Sequence, residues 1–315
     1  MQAKIDAAPA GSTLNLTGCS YTVPSPSGQP AVRITKPLTI VGPTVSLPSQ
    51  GAWDWGVGIL ADGVTIDGWT VRGGGNAFAM NNGRQNLVIR NSSIADYSGS
   101  PMFFTGPVSY ITIQGNTMTN TKARWSDIIS IRGNEGANPC PNPAHHITIV
   151  NNVANQGPAF DQNRASVAQA PSGWFGIELK CTEDVLIEGN SLSGGHTLIS
   201  LPDSNRVTIR GNRFNMVDIP GGLTSGPYWG VEIAKAHDVV VEGNTFVGQG
   251  PCCDAAVSTN SGSQRPIVRN NTVSNMYVLF EGGHNASITD NCLQNVAHVI
   301  TSDTGDNRLE RNGPC

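Results

Sequence analysis

The chain has 315 residues with a formal net charge of −4, and 13% of its residues are charged. This balance predicts no broad basic face for nucleic acid, and no apolar run approaches the ~18 residues that span a membrane. We therefore expect neither nucleic acid nor a membrane as a partner.

The first residues, Met1 to Lys4, lead directly into an apolar segment. We interpret the chain as a mature domain from which any secretory leader has been removed. The first ~20 residues are expected to cover the N-terminal end of the fold, because an exposed sheet edge must be covered. No low-complexity linker interrupts the rest of the chain, which predicts one domain over residues 1–315.

A short motif repeats along the chain after this segment, in which an apolar residue is followed three positions later by asparagine. Eight copies are complete: Ile113/Asn116, Ile149/Asn152, Ile187/Asn190, Ile209/Asn212, Val241/Asn244, Val268/Asn271, Ile288/Asn291 and Leu309/Asn312. Degenerate copies precede them at Ile40, Ile66 and Ile89, and successive copies lie 20 to 38 residues apart. A short unit with variable insertions is typical of a solenoid.

Each unit contains short alternating runs such as Val207-Thr208-Ile209, which are typical of strands and not of helices. The Gly, Asn or Asp residues after each run suit a left-handed corner, and stacked asparagine amides can bond from coil to coil. The pattern predicts an all-β, right-handed parallel β-helix of about eleven coils. An antiparallel sandwich, the alternative, does not predict asparagines in register.

The whole chain resembles the pectate-lyase-like superfamily of right-handed parallel β-helices. Its opening, Ile5-Asp6-Ala7-Ala8-Pro9-Ala10-Gly11-Ser12-Thr13-Leu14-Asn15-Leu16, is similar to the segment that covers the N-terminal end in many members. The superfamily includes lyases, glycosidases, esterases, epimerases and phage adhesins. The resemblance therefore implies the fold and leaves the reaction open.

The seven cysteines indicate an oxidising compartment and a secreted protein. Cys140 and Cys181 follow equivalent strands of adjacent coils, which predicts a disulfide between them. We expect a second disulfide, Cys292–Cys315, to pin the last coil. Cys252 and Cys253 either bridge each other or pair elsewhere, and Cys19 is the unpaired one. No spacing is typical of a zinc site.

Counting back from the ladder predicts an outward-facing column on the preceding strands. The column comprises Phe104, Ser130, Glu178, Ser200, Glu232, Ser258 and Glu281. A second column two residues later comprises Arg132, Lys180, Pro202, Ala234 and Asn260. Gly176 and Gly230, two residues before the first column, are expected to leave room above the sheet. One face thus concentrates Glu178, Glu232, Arg132 and Lys180.

Insertions at 134–144, 155–174 and 216–228 fall in the coils that flank this face, as is typical of the functional face of a repeat protein. Aromatic residues precede the charged strands and predict a wall on which sugar rings stack. The candidates for substrate binding are Trp125, Asp127, Trp174, Tyr228 and Trp229. In the alternative interpretation, the charges form an ordinary surface pair and the tryptophans pack in the core.

Elimination from a uronic-acid polymer needs neutralisation of the carboxylate, a base for the adjacent carbon-bound proton and an acid for the leaving oxygen. A Ca²⁺ ion held by Glu178 and Glu232 would neutralise the carboxylate, and Lys180 or Arg132 would act as the base. The stretch Ile177-Glu178-Leu179-Lys180-Cys181 resembles the acid-then-lysine strand of the alginate and chondroitin lyase group. That resemblance implies a Ca²⁺ ligand at Glu178 and the base at Lys180, although Cys181 replaces the usual serine and Arg132 precedes the strand instead of following it.

Our hypothesis is a secreted lyase that cleaves an acidic polysaccharide as a monomer. The first alternative is an inverting glycoside hydrolase, because Glu178 and Glu232 are expected to lie about 10 Å apart, near the top of the ~6.5–9.5 Å range for that mechanism. The second alternative is a non-catalytic carbohydrate-binding protein, either an adhesin or a phage spike.

Overall fold

The structure, a computed structural model, describes residues 1–23, 30–47, 54–119, 127–134, 140–155, 175–194, 197–216, 228–248, 254–260, 262–302 and 305–315. Within them the chain forms one short helix and many short strands. In chain order these are α1 (Gln2–Ala7), β1 (Thr13–Asn15), β2 (Ser20–Thr22), β3 (Val32–Ile34), β4 (Thr39–Val41), β5 (Thr44–Ser46), β6 (Trp55–Ile59), β7 (Val64–Asp67), β8 (Thr70–Arg72), β9 (Asn76–Met80), β10 (Gln85–Arg90), β11 (Ser93–Ala95), β12 (Met102–Thr105), β13 (Ser109–Gln114), β14 (Thr117–Thr119), β15 (Ile129–Arg132), β16 (Ala144–Val150), β17 (Val153–Asn155), β18 (Phe175–Lys180), β19 (Thr182–Glu188), β20 (Ser191–Ser193), β21 (Thr197–Pro202), β22 (Asn205–Arg210), β23 (Arg213–Asn215), β24 (Tyr228–Ala234), β25 (His237–Glu242), β26 (Thr245–Val247), β27 (Asp254–Thr259), β28 (Ile267–Arg269), β29 (Thr272–Glu281), β30 (Ser287–Thr289), β31 (Cys292–Thr301), β32 (Arg308–Glu310) and β33 (Gly313–Pro314).

Each strand from β1 to β26 pairs in parallel with the strand three positions later in the chain. This arrangement confirms the predicted right-handed parallel β-helix. One sheet, here called the ladder sheet, has the strand order β1-β4-β7-β10-β13-β16-β19-β22-β25-β28-β30-β32. It carries the apolar ladder in register: Ile149 pairs with Ile187, Ile187 with Ile209, and Ile209 with Val241. These residues are fully buried and form one column of the core.

The other strands form two parallel stacks on the remaining sides of the coil. The site stack runs through β3, β6, β9, β12, β15, β18, β21, β24 and β27, and the short stack runs from β2 through β26. Both stacks continue onto β29 and β31, ten-residue strands that each serve both sides of the coil, and β33 extends the short stack by pairing with the start of β31. The core lies between the three sheets.

The N-terminal segment packs against the first coil. Ile5 of α1 is fully buried. The Gln2 side chain accepts a hydrogen bond from the Arg33 backbone N–H and donates one to the Arg33 carbonyl. Thr13–Asn15, which we expected to belong to the cap, already forms the first strand of the ladder sheet. Among the described residues, no helix is long and apolar enough to cross a membrane.

The asparagines form the predicted ladder beside the apolar column. Asn190 donates from its backbone N–H and from Nδ2 to Asn212 Oδ1, and Asn212 does the same to Asn244 Oδ1. Each Nδ2 also reaches a backbone carbonyl of the preceding coil, such as Ile187 O for Asn212. Because the amides are nearly fully buried, the ladder satisfies backbone groups that the corners would otherwise leave unpaired.

Both predicted disulfides are present. Cys140–Cys181 joins adjacent coils with its Cα atoms 5.8 Å apart, and Cys292–Cys315 closes the C-terminal coil. Cys19 is a free thiol, as expected. Cys252 and Cys253 lie outside the described residues.

Candidate functional site

The predicted outward column of the site stack is largely in register. Ser130 pairs with Glu178, Glu178 with Ser200, Ser200 with Glu232, Glu232 with Ser258, and Ser258 with Glu281. We call these residues the acid column. Each residue flanks the inward-facing apolar residues of its strand, so the pleat directs its side chain away from the core. Glutamates therefore alternate with serines along one face.

One member of the predicted column was wrong. Phe103, not Phe104, pairs with Ser130, and Phe104 is fully buried. The turn after β12 differs in length from the later turns, and a shift of one residue moves a side chain to the opposite face.

The predicted role of the two glycines was also wrong. A Cβ atom on Gly176 would lie 2.6 Å from the Leu198 carbonyl oxygen. A Cβ atom on Gly230 would lie 2.6 Å from the Phe246 ring and from the Ala256 carbonyl oxygen. The glycines allow neighbouring coils to pack closely and do not open a space for substrate.

Glu178 lies in an ion pair at one end of the acid column. Arg132 donates from Nε to Glu178 Oε2 at 2.7 Å, and its Nη2 lies 2.5 Å from the same oxygen. Ser130 Oγ donates to Glu178 at 3.1 Å. Asp127 Oδ2 lies 3.6 Å from Arg132 Nη2, and the Arg132 guanidinium lies over the Phe103 ring at 5.9 Å. These contacts fix the guanidinium on the face of the sheet.

Glu232 lies two strands further along and has a different environment. Ser200 Oγ donates to Glu232 Oε2 at 2.8 Å. Burial raises the pKa of Glu232, and the negative charge of Glu178 raises it further against the opposing effect of the Ser200 hydrogen bond. A carboxyl with a raised pKa beside an ion-paired carboxylate is an arrangement suited to proton donation.

Glu281 ends the described acid column and contacts an aromatic residue. Its Oε2 accepts hydrogen bonds from Trp229 Nε1 and from Ser258 Oγ, both at 3.1 Å. The partly buried Trp229 side chain is thereby tied to the same face as Glu232. Sequence reasoning placed Glu281 in the column but missed this contact, because it spans 52 residues.

The structure brings together some of the predicted site residues. Lys180 pairs with Arg132 on the neighbouring strand, so both basic residues lie on the same face as Glu178. Asp127 is 3% exposed and contacts Arg132, so its predicted contact with substrate stays a prediction.

The predicted aromatic wall stays a prediction as well. Of its members, only the Trp229 side chain is described, whereas Trp125, Trp174 and the Tyr228 side chain lie outside the described part of the chain. Most residues of the three insertions also lie outside the described part of the chain.

The sequence also predicted calcium at Glu178 and Glu232. Among the described residues, no group of three or more His, Cys, Asp or Glu side chains converges to hold a metal ion. Glu178 Oε2 is engaged by Arg132 and Ser130. The calcium site therefore stays a prediction.

Solved structures with the same fold include enzymes and an adhesin. The A-module of the Azotobacter vinelandii mannuronan C-5 epimerase AlgE6 aligns with a TM-score of 0.57 and 14% identity, covering 100% of this chain and 94% of that one. The alginate lyase AlyF-OU02 aligns with a TM-score of 0.60 and 14% identity, covering 98% of this chain and 80% of that one. PfbA, a surface adhesin of Streptococcus pneumoniae, aligns with a TM-score of 0.59 and 12% identity, covering 98% of this chain and 86% of that one. At these identities the similarity establishes the fold alone, and it confirms the right-handed parallel β-helix.

No curated protein matches the chain by sequence. A sequence profile of one family does match, over residues 156–313, which is just over half of the chain. The chain therefore belongs to the family described as periplasmic copper-binding protein (NosD).

Proposed function

We propose that this protein cleaves an acidic polysaccharide by β-elimination on the face of the acid column. One observation carries the proposal: Glu232, whose pKa is raised, shares that face with the basic residues Arg132 and Lys180. A polymer of uronic acids supplies carboxylates that complement the Arg132 guanidinium. The polysaccharide-active relatives in fold are consistent with this assignment.

Each residue has a distinct role in the proposed reaction. The Arg132 side chain is 26% exposed and held by Glu178, so it is positioned to pair with a uronate carboxylate. The neutral amine of Lys180 takes the proton from the carbon beside that carboxylate, and the released electron pair forms the carbon–carbon double bond. The bond from the ring carbon to the glycosidic oxygen breaks, and Glu232 donates its proton to the leaving oxygen.

The raised pKa of Glu232 favours this role over that of a calcium ligand, because a protonated carboxyl binds cations poorly. We therefore expect elimination to continue in the presence of a chelator. Loss of activity on chelation, with recovery on adding Ca²⁺, would support the calcium role of Glu178 and Glu232 instead.

Inverting hydrolysis is the second candidate, and the electrostatic coupling of Glu178 and Glu232 favours it. The two glutamates lie two strands apart in the site stack, and the charge of Glu178 contributes to the raised pKa of Glu232. In this reaction Glu232 would protonate the glycosidic oxygen and Glu178 would activate a water molecule.

Incubation with a panel of uronic-acid and neutral polysaccharides separates these reactions. β-Elimination produces an unsaturated sugar that absorbs ultraviolet light, whereas hydrolysis produces reducing ends without that absorbance. Binding without cleavage would favour the adhesin alternative. Glu232→Gln is the matched inactive variant, because the amide keeps the shape of the side chain and removes the acidic proton.

Two observations bear on the location of the protein. The family to which the chain belongs is described as periplasmic, and two disulfides join its coils. Disulfides persist in oxidising compartments. Both observations support a periplasmic or extracellular location, and secretion from the cell is the more specific proposal. Fractionation of the producing cells tests it.

A further inference from the structure

The ladder sheet carries a groove on its outer face, away from the acid column of the site stack. The groove has a volume of about 700 Å³ and crosses five strands that are neighbours in the sheet: β10, β13, β16, β19 and β22. Because neighbouring strands lie ~4.8 Å apart, the four spacings give a length of about 19 Å along the axis of the coil. A ligand in this groove would bind independently of the proposed cleavage.

Short side chains form the floor of the groove, and longer ones form its walls. The floor is an outward column in register, which comprises Val88, Thr112, Thr148, Leu186 and Thr208. One wall includes Arg210, which donates hydrogen bonds to Glu188. The other wall, here called the bulge column, consists of residues that the strand pairing skips: Asn86, Tyr110, His146, Asp184 and Arg206. Their φ angles lie between 53° and 59°, in the left-handed region.

Tyr110 is an unusual residue for the bulge column. Most described residues with a left-handed backbone are Gly, Asn or Asp, which tolerate that conformation, whereas a bulky side chain rarely adopts it. The side chain is 49% exposed, so its packing contributes little to the core. Strained backbone positions concentrate at sites of function. The position therefore indicates a ring that is held for contact with a ligand.

The Tyr110 ring forms a platform in the wall of the groove. His146 packs against it from the following coil, with the ring centroids 4.8 Å apart and 31° between the ring planes. A hydrogen bond between the Nδ1 atoms of His145 and His146, at 2.7 Å, fixes the His146 ring. On the preceding coil the bulge column has the shorter Asn86. The Tyr110 ring is therefore supported on one side and remains exposed on the side of Asn86.

Polar groups with fixed positions follow the aromatic rings along the same wall. Arg206 donates from Nε to Asp184 Oδ1 at 2.7 Å and from Nη2 to Asp184 Oδ2 at 3.0 Å. Its Nη2 also donates to Glu183 at 2.7 Å. The Arg206 and Asp184 side chains remain 52% and 38% exposed, so both can still bond a ligand. A carboxylate accepts hydrogen bonds and a guanidinium donates them, and a hydroxyl group can partner either.

The combination of a platform with such a pair suits a sugar chain. A pyranose ring presents C–H groups to the negative face of an aromatic ring, and its hydroxyls lie at the edge of the same ring. An extended peptide suits the groove less well, because it binds through free backbone groups of a sheet edge. The backbone groups under this groove are already paired within the ladder sheet.

The charges of the groove favour a neutral sugar. Arg206 and Arg210 are both paired with carboxylates, and these are Glu183, Asp184 and Glu188. Two positive and three negative charges leave a net charge of −1, which disfavours a uronate chain. We propose that the groove binds a neutral, straight oligosaccharide, with Tyr110 as the platform and the Asp184–Arg206 pair as the partner of its hydroxyls.

The test is calorimetric titration with three neutral, straight probes: cellohexaose, mannohexaose and chitohexaose. The Glu232→Gln protein is used, so that the acid column does not cleave a probe. We expect at least one probe to bind and hexagalacturonate, an acidic chain of the same length, not to displace it. Tyr110→Asn should weaken this binding at least about tenfold, as is typical of an aromatic residue that carries a binding site. Asparagine occupies the equivalent position at Asn86, so the bulge should persist.

Tyr277→Asn is the matched control. Tyr277 is also exposed and also packs against a histidine ring, that of His298 at 4.9 Å, but it lies on β29, outside the groove. This variant should leave the affinity unchanged. Failure of all three probes to bind would overturn the proposal, as would equal affinity losses in the two tyrosine variants or an unchanged affinity in Tyr110→Asn.

Unfolding curves check that each variant is folded. If Tyr110→Asn has a lower unfolding midpoint than the parent protein, Asp184→Asn takes its place, because asparagine also tolerates the left-handed backbone of that position. Asp184→Asn should weaken binding of the same probe, since it removes a charged acceptor for the hydroxyls. An unchanged affinity in Asp184→Asn would then overturn the proposal.

Discussion

The ladder sheet and the acid column both carry carboxylates on an outer face, but those carboxylates have different neighbours. On the ladder sheet, Glu188 pairs with Arg210 at 2.9 Å and Glu242 with Arg269 at 2.6 Å, and all four side chains are at least 25% exposed. In the acid column, Glu178 is 6% exposed, and Glu232 hydrogen bonds to Ser200 and lies near Glu178.

We propose that this difference separates structural charges from functional ones. An exposed ion pair contributes only ~0–1 kcal/mol, and replacing it costs little. Partial burial and a nearby negative charge both disfavour the ionised form of a glutamate, and such arrangements concentrate at functional sites. The acid column is therefore the face on which substitutions should change activity, and the ladder sheet is the face on which they should not.

The largest expected effect comes from removing the proposed acid. Glu232→Gln should lower the rate of polysaccharide cleavage by ~10²–10⁴-fold, because a positioned acid typically contributes that much. The measurement is kcat/KM on the polysaccharide identified by the panel.

Glu242→Gln is the control for Glu232→Gln, because it makes the same chemical change on the ladder sheet, where Glu242 pairs with Arg269. It should keep full activity. Equal losses of activity in the two variants would mean that the acid column is not the catalytic face.

A second effect concerns the pH dependence of activity. Glu232 donates a proton only when protonated, so activity should be present below its raised pKa and lost as the pH rises through it. Burial is the main cause of the raised pKa, and the charge of Glu178 adds to it. Glu178→Gln removes that charge, so the pKa should fall and the basic limb of kcat/KM should move to lower pH. A limb that stays in place or moves to higher pH would contradict the assignment.

The fold could be predicted from the sequence because its units repeat. The spacing of Ile187, Ile209 and Val241 with their asparagines encodes both the column and the ladder, and both are local patterns. Thr13–Asn15 pairs as a full strand although its coil lacks the asparagine motif.

For the site, strand alternation predicted which face of the sheet a side chain lies on, but not which contacts it makes. Alternation placed Glu178 and Glu232 on one face, but variable turn lengths exchanged Phe104 for Phe103. The Arg132–Glu178 ion pair and the Trp229–Glu281 hydrogen bond join residues 46 and 52 positions apart, and their rotamers depend on packing. No sequence pattern carries that information.

A third prediction concerns the ladder itself. Asn212→Leu removes Oδ1, which accepts from Asn190, and Nδ2, which donates to Ile187 and Asn244. Buried groups that lose their partners should cost ~1–3 kcal/mol of unfolding free energy. Denaturant unfolding measures it. Asn142→Leu, an exposed asparagine outside the ladder, is the control and should change the unfolding free energy by less than ~0.5 kcal/mol. Similar values for both variants would show that the ladder adds little to stability.

The smallest effect is expected for the ion pairs of the ladder sheet. Arg269→Ala removes an exposed partner of Glu242 and should change the unfolding free energy by only ~0–1 kcal/mol, with no loss of activity. Arg132→Ala removes the partner of the buried Glu178, which is left with an uncompensated charge, and should therefore cost more. The measurement is the unfolding midpoint of both variants at low and high salt. Because salt screens exposed charges more strongly than buried ones, the Arg269 effect should shrink with salt and the Arg132 effect should largely persist. Equal costs with equal salt dependence would remove the physical distinction between the two faces.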